Sequence, residues 1–573
     1  MTVEQDWTPQ KRDFLQSTGH VLAMGGPGSG KTHVALVKAR DEIRSAKLLS
    51  GQRILFLSFA RPTVARVLEK AKELITADDL RLLDVNTYHG FAWSVLRSHG
   101  YLLSNGKPLQ LLPPPEGSAR LAHFAKEQHH QEKLRLFHEE GLLHFDLFAQ
   151  LTAELLRRSR RLAGIYTATY PILVVDEFQD TNADEWAMVR ELGRGCRIIA
   201  LADPDQRIYE FRGADPQRLK EFVDQFDPLP VEFEGENHRS AGTDIATYGS
   251  DLLTGKNKGA VYANVSVVEY GVYYGRGPHF HAKAQLIQAI KRLRKEPAWS
   301  IAVLVPSKAF MLQVSDYLSA ESDGMPNLRH EVAMDAESPA LAANVIATLM
   351  EGGPSELLAA RLLSALHTHI RGRSGTKRPA QAELDMADAI DQYLVSGKIR
   401  GKNRQALISE CARLAALRQD VVFTGHPEED WLTARGLLAT SAVGQLSRVA
   451  ADAKYLRLLH KGSNLRASLS ELWRSQGQYV GAIEAVRGAL LQEHFTAAAK
   501  EWRGVHLMTI HKAKGKEFDE VLIYEGRYAG RIVPANADTS RQSQALLALR
   551  VAVTRAMKRA TILTPSGDRS IFL

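Results

Sequence analysis

Short apolar runs alternate with longer amphipathic stretches through the first part of the chain. Val21 to Met24, Arg53 to Ser58 with its apolar centre Ile54 to Leu57, Ile172 to Val175 and Ile198 to Ala202 are short apolar runs, too short for helices. They predict strands buried on both faces, as in a parallel sheet covered by helices. Each ends in polar or glycine-rich residues, and ligands gather at the carboxyl ends of such strands. From about Phe91 to Asp146 the strand signal disappears, and Ala119 to Phe137 carries helical spacing with many charges, which predicts a helical insertion. Within it, Pro113-Pro114-Pro115 predicts a bend or linker. Strand-like runs return at Val265 to Tyr270, Ile301 to Val305, Val505 to Ile510, Val521 to Tyr524 and Ala560 to Leu563. Between about 335 and 500 the chain is rich in Ala, Leu, Arg and Glu at helical periodicity. The layout predicts an α/β protein with two parallel-sheet domains, each interrupted by a mainly helical insertion.

Composition narrows this picture without changing it. A chain of 573 residues exceeds one hydrophobic core, and 45% hydrophobic with 24% charged residues is a folded, globular balance. The net charge of +8 would draw a polyanion, although many basic enzymes bind no nucleic acid. Cys196 and Cys411 are the only cysteines, too few for a disulfide framework; Cys196, just before an apolar run, is expected to be a small buried residue. The N-terminus lacks the apolar core of a signal peptide, and no apolar run approaches the roughly 20 residues that span a bilayer. A cytoplasmic protein is expected.

Chemistry enters with Gly25-Gly26-Pro27-Gly28-Ser29-Gly30-Lys31-Thr32, which follows a predicted strand and precedes the helical stretch His33 to Ile43. That is the context of a Walker A loop: glycines let backbone N–H groups close around phosphates, and the helix N-terminus adds partial positive charge. Lys31 would reach the β and γ phosphates of ATP, and the Thr32 hydroxyl would bind Mg2+. The run Ile172-Leu173-Val174-Val175 delivers Asp176, suited to hold the metal, and Glu177, suited to activate water. His129 and His130 have no acidic or cysteine partners at ligand spacing, so they read as a solvated helix face rather than a metal site.

Asp176-Glu177-Phe178-Gln179-Asp180-Thr181-Asn182 closely resembles the Walker B motif of UvrD-like helicases, and further resemblances follow in family order. Thr8-Pro9-Gln10 is similar to the adenine-reading glutamine motif, and Asn86-Thr87-Tyr88-His89-Gly90 to the Thr-Phe-His-Gly segment. Asp205-Gln206-Arg207-Ile208-Tyr209-Glu210-Phe211-Arg212-Gly213-Ala214 resembles the third motif, and Asn237-His238-Arg239-Ser240 the Asn-Tyr-Arg-Ser segment. Thr509-Ile510-His511-Lys512-Ala513-Lys514-Gly515-Lys516-Glu517-Phe518 resembles the fifth, and Val551-Ala552-Val553-Thr554-Arg555-Ala556 the sixth. The resemblance implies two RecA-like domains with ATP between them and single-stranded DNA across their tops. It assigns residues 1–90 and 147–232 to the first domain, around a helical insertion at 91–146. Residues 233–335 and 501–573 become the second, around an accessory insertion at 336–500. It implies that Gln206 senses the γ phosphate, that Arg239 and Arg555 act as arginine fingers, and that Glu517 approaches the ribose. Gln10, His33 and His238 would complete the nucleotide site. Phe211 would stack on bases, although taken alone it reads as core packing. Phe59, Arg61, Thr87, His89 and His511 would touch the DNA; for Thr87 and His89 the lesser alternative is a satisfied polar turn.

Several positions depart from the family pattern. His238 stands where Tyr stacks on adenine, His33 where Arg is common, and Arg550 where Tyr is usual; Gln544-Ala545-Leu546-Leu547 replaces a Glu- and Arg-rich run. The first insertion is short for the family, the second aligns poorly with its accessory domain, and nothing like a fused nuclease follows the sixth motif. The expected function is an ATP-dependent, 3′-to-5′ DNA helicase acting in repair, recombination or replication on single-stranded and tailed duplex DNA. The alternatives are a translocase that does not unwind, or the motor subunit of a complex with a separate nuclease. A third is a nucleotide-gated DNA-binding switch, which intact Glu177, Gln206, Arg239 and Arg555 argue against.

Overall fold

The computed structural model describes residues 7–45, 48–203, 215, 217–233, 239–271, 277–333, 337–375, 377–453, 464–495, 502–527, 530–533 and 537–573. The chain forms two compact units. The first comprises residues 1–94, 152–334 and 497–573, and the second residues 95–151 and 335–496.

The first unit holds two six-stranded sheets, parallel throughout. One sheet is built from β1 (Val21–Gly25), β2 (Ile54–Ser58), β3 (Leu83–Thr87), β6 (Ile172–Val175), β7 (Arg197–Ala202) and β8 (Leu229–Phe233), ordered β3-β2-β6-β7-β1-β8. Every residue of β2 and β6 is buried, as the unbroken apolar runs require of central strands covered on both faces. Around them α1 (Pro9–Gln16), α2 (Lys31–Arg44) and α3 (Arg61–Leu74) contribute Phe14, Val34, Leu36 and Val67 to one core. Phe56 at its centre is fully buried, so Phe56→Ala would remove roughly 3–5 kcal/mol.

The other sheet contains β9 (Val265–Tyr270), β10 (Ser300–Val305), β11 (Glu331–Ala333), β12 (Gly504–Thr509), β13 (Phe518–Tyr524) and β14 (Ala556–Pro565), ordered β11-β12-β10-β13-β14-β9. The expectation of two parallel sheets in an α/β fold is met. Three strands that the apolar runs do not reveal, β3, β8 and β11, all lie at sheet edges. Edge strands are half solvated, so Leu83–Thr87 alternates with polar residues, and Leu229–Phe233 tolerates Pro230.

The second unit is mainly helical. Leu358, Leu362, Leu366 and Ile370 form one face of the helix Ser355–Gly372 and are buried against Ala342, Val345, Ile346 and Leu349 of the helix Glu337–Glu351. The segment after Val95 packs into the same unit, where Arg487 donates to Glu116 at 2.9 Å. Two features correct the sequence reading of that segment. It contains a small parallel pair, β4 (Gln110–Leu112) and β5 (Leu142–His144), whose three-residue strands are too short to show a period. The triproline run does not make a linker: Pro113 caps and Pro114 opens the helix Pro114–Leu121, where a fixed φ and a missing N–H cost nothing.

Candidate active site

The phosphate loop begins where β1 ends. Gly28 and Gly30 have φ of 80° and 85°, a left-handed conformation that L side chains rarely adopt, and the chain turns there into α2. No side chain caps α2, so its first N–H groups point out of the loop as an anion site. Lys31 folds back over this loop, its Nζ donating to the carbonyls of Gly25 at 2.5 Å and Gly26 at 3.0 Å, with Ser29 Oγ at 3.4 Å. Burial lowers the Lys31 pKa, opposed by Asp203, Glu177 and Asp176. Thr32 follows in the first turn of α2, and the His33 ring lies 6.2 Å from that of Trp7. Gln10 is exposed on the first turn of α1, whose N-terminus Thr8 caps through Lys11 N and whose C-terminal carbonyls, Leu15 O and Ser17 O, accept from buried Lys38.

β6 delivers the two acids. Asp176 N donates to Leu57 O at 2.8 Å, extending the pairing with β2 by one residue and fixing the carboxylate beside the loop. Burial, reinforced by the neighbouring charge of Glu177, pushes the Asp176 pKa up to about 7. Glu177 goes the other way: burial raises its pKa, but Lys514, Lys31 and the Gln179 amide outweigh it, so the net shift is downward. Gln179, which its motif contains but which sequence reasoning gave no role, joins two strand ends. Its Nε2 donates to Glu177 at 2.6 Å and its Oε1 accepts from Asp203 N at 3.0 Å.

The second sheet supplies cations to the same place. Lys514, just after β12, forms a buried ion pair with Asp180, whose pKa burial raises to about 7 against the pull of that lysine. Neighbouring Gly515 (φ 75°) touches α3 so closely that a Cβ there would lie 2.6 Å from Thr63 Oγ1. Arg239 Nε donates to Glu517 at 2.6 Å, and its Nη1 to Thr554 O at 3.3 Å. Arg555 is 1% exposed, and burial together with repulsion from Arg239 lowers its pKa to about 9. Its Nε donates to Val551 O at 3.1 Å. Arg550, before β14, reaches Asp203, after β7 of the first sheet, at 3.6 Å, both side chains buried. Arg66 of α3 joins Glu517 as well, at 2.9 Å; on the sequence it is an unremarked charge on a helix face, and only the fold shows it.

Of the residues expected to touch DNA, Phe59 and Arg61 follow β2, and Thr87 and His89 lie at the end of β3. The pairing Ser58↔Thr87 makes these neighbouring strand ends. Thr87 Oγ1 accepts from Gly90 N at 2.9 Å, so its hydroxyl also serves the turn. His511 is exposed beyond β12 in the other sheet. Gln206, Phe211 and His238 lie outside the described residues.

Comparison with known proteins bears on the first sheet domain. The family model of the UvrD/REP helicase N-terminal domain matches residues 7–139 and 115–227. ATP-dependent DNA helicase Rep of Salmonella typhimurium is 25% identical over 268 residues, 39% of this chain and 40% of that relative; Rep of Escherichia coli matches to the same extent. ATP-dependent DNA helicase PcrA of Staphylococcus aureus is 22% identical over 280 residues, 41% of this chain and 38% of the relative. The matched region thus spans about two-fifths of these relatives' length.

Proposed function

With residues 7–227 belonging to the UvrD-like helicase family, we propose that the chain is an ATP-driven motor on single-stranded DNA, travelling 3′ to 5′ and unwinding duplex. The observation that carries this reading is the pairing of complementary groups between the two sheets. Lys31, Asp176 and Glu177 come from the first sheet, and Arg239, Arg555 and Lys514 from the second, joined by Lys514–Asp180 and Arg66–Glu517. A site split between two sheets changes when they move, which couples hydrolysis to motion. Residues 1–90 with 147–232, and 233–335 with 501–573, are taken as the two motor domains.

In this reading the N–H groups of residues 28–32 and Lys31 hold the β and γ phosphates. Glu177, ionised at neutral pH because cations outweigh its burial, takes the proton of the attacking water. Arg239 and Arg555 stabilise the charge that develops on the transferred phosphoryl group. Asp176, a buried carboxylate with a raised pKa just after β6, and Thr32, a hydroxyl in the first turn of α2, are hard-oxygen donors that fit Mg2+, which would neutralise phosphate charge. Phe59, Arg61, Thr87, His89, His511 and Phe211 are assigned to the DNA track.

The test is ATP hydrolysis with and without single-stranded DNA, followed by duplexes carrying 3′ or 5′ tails. DNA-stimulated hydrolysis lost in Lys31→Ala, with unwinding from 3′ tails, is the expected result. Hydrolysis indifferent to DNA overturns the motor, and intact tailed duplexes reduce it to a translocase.

A further inference from the structure

Arg66 stands on α3 of the first sheet domain, outside every motif above. Its Nη1 donates to Glu517 Oε1 at 2.9 Å, the oxygen that also accepts from Arg239 Nε at 2.6 Å. One carboxylate oxygen therefore holds two guanidinium groups, one from each sheet domain. Burial opposes the charge on Glu517, but Arg239, Arg66 and Arg555 together hold its pKa down at about 2. The side chain is ionised and only 26% exposed. A charge so covered is costly to leave without a partner.

This geometry sets a condition on Arg239. To meet a phosphoryl group, its guanidinium has to give up Glu517, and the carboxylate needs another cation at that moment. We propose that Arg66 is a positioning residue that keeps Glu517 paired while Arg239 turns to the transferring phosphoryl group. The proposal rests on the reading of this place as an ATPase site. Arg555 is within electrostatic range of Glu517, but its Nε is committed to Val551 O at 3.1 Å. Without Arg66, Glu517 binds Arg239 more tightly in the ground state, and the finger is withheld from the transition state. Loss of an interaction realised only in the transition state lowers kcat and spares KM.

The experiment is steady-state ATP hydrolysis, with saturating single-stranded DNA, by the full chain and by R66Q, R66K, E517Q and R66Q/E517Q, each checked for native melting. The expected kcat of R66Q is lower by roughly 10- to 100-fold with KM within about threefold. R66K keeps the charge and should fall between R66Q and the parent. The distinctive expectation is rescue: removing the carboxylate in R66Q/E517Q frees Arg239, so its kcat rises above that of R66Q. Unchanged kcat in R66Q, a rise in KM alone, or a double variant no faster than R66Q overturns the proposal while leaving the ATPase reading intact. Should R66Q fail to fold, R66K against R66K/E517Q decides by the same rescue. A parent chain that hydrolyses no ATP, or a K31A variant that still does, overturns both readings.

Discussion

Glu177 has φ of 54°, a left-handed backbone in a residue with a full side chain, at a cost of roughly 1–3 kcal/mol. The strain turns the chain out of β6, and the carboxylate meets Gln179 Nε2 at 2.6 Å. If Glu177 accepts the proton from water, Glu177→Gln lowers kcat for ATP by about 100-fold or more with a small change in KM, read in a steady-state assay. On the proposed reading, in which the Lys31 ammonium leaves the loop carbonyls for the phosphates, Lys31→Ala should lower nucleotide affinity as well; competition with a labelled nucleotide checks this. Both residues were legible in the sequence, since loop glycines, lysine and paired acids occupy fixed spacings after apolar runs. Arg66 and Gln179 were not, because their roles lie in contacts: Arg66 meets a residue 451 positions away.

At the scale of elements, the apolar runs found the central strands and one edge, β9, and missed the other three edges, where one side faces water. The short pair β4 and β5 carries a titratable prediction. His144 of β5 is buried, and that burial, against the pull of Asp146, lowers its pKa to about 4. A histidine whose folded pKa lies below its unfolded value near 6.5 binds protons preferentially when unfolded. Its penalty is absent above about pH 6.5, and stability falls as pH drops through the window from 6.5 to 4, by roughly 3 kcal/mol in all. Denaturant unfolding between pH 7 and 4.5, followed by a probe within residues 95–151, should show a slope that His144→Gln removes.

For the whole molecule, the buried pair Lys514–Asp180 ties the ends of strands in different sheets. Removing one partner leaves an unpaired buried charge, so Lys514→Met should cost about 3–5 kcal/mol in chemical denaturation, whereas Lys514→Met with Asp180→Leu should recover most of it. If the two variants are equally unstable, the pair is not what holds that contact. The remaining segments follow a different logic: residues 95–151 and 335–496 interrupt different sheets, yet they share one helical unit. No helix among the described residues is long and apolar enough to cross a membrane.

By itself the sequence determined the two parallel sheets, the phosphate loop on β1 and α2, and the acids at the end of β6, because local period and spacing suffice to specify a buried strand and what it delivers. Tertiary structure alone decided which charges face one another. That Glu517 holds Arg66 and Arg239 together, that Arg550 lies across from Asp203, and that two distant insertions fall in one compact unit depend on residues hundreds of positions apart. Pair energies between such groups arise from distance and burial, and neither is written in the order of the residues.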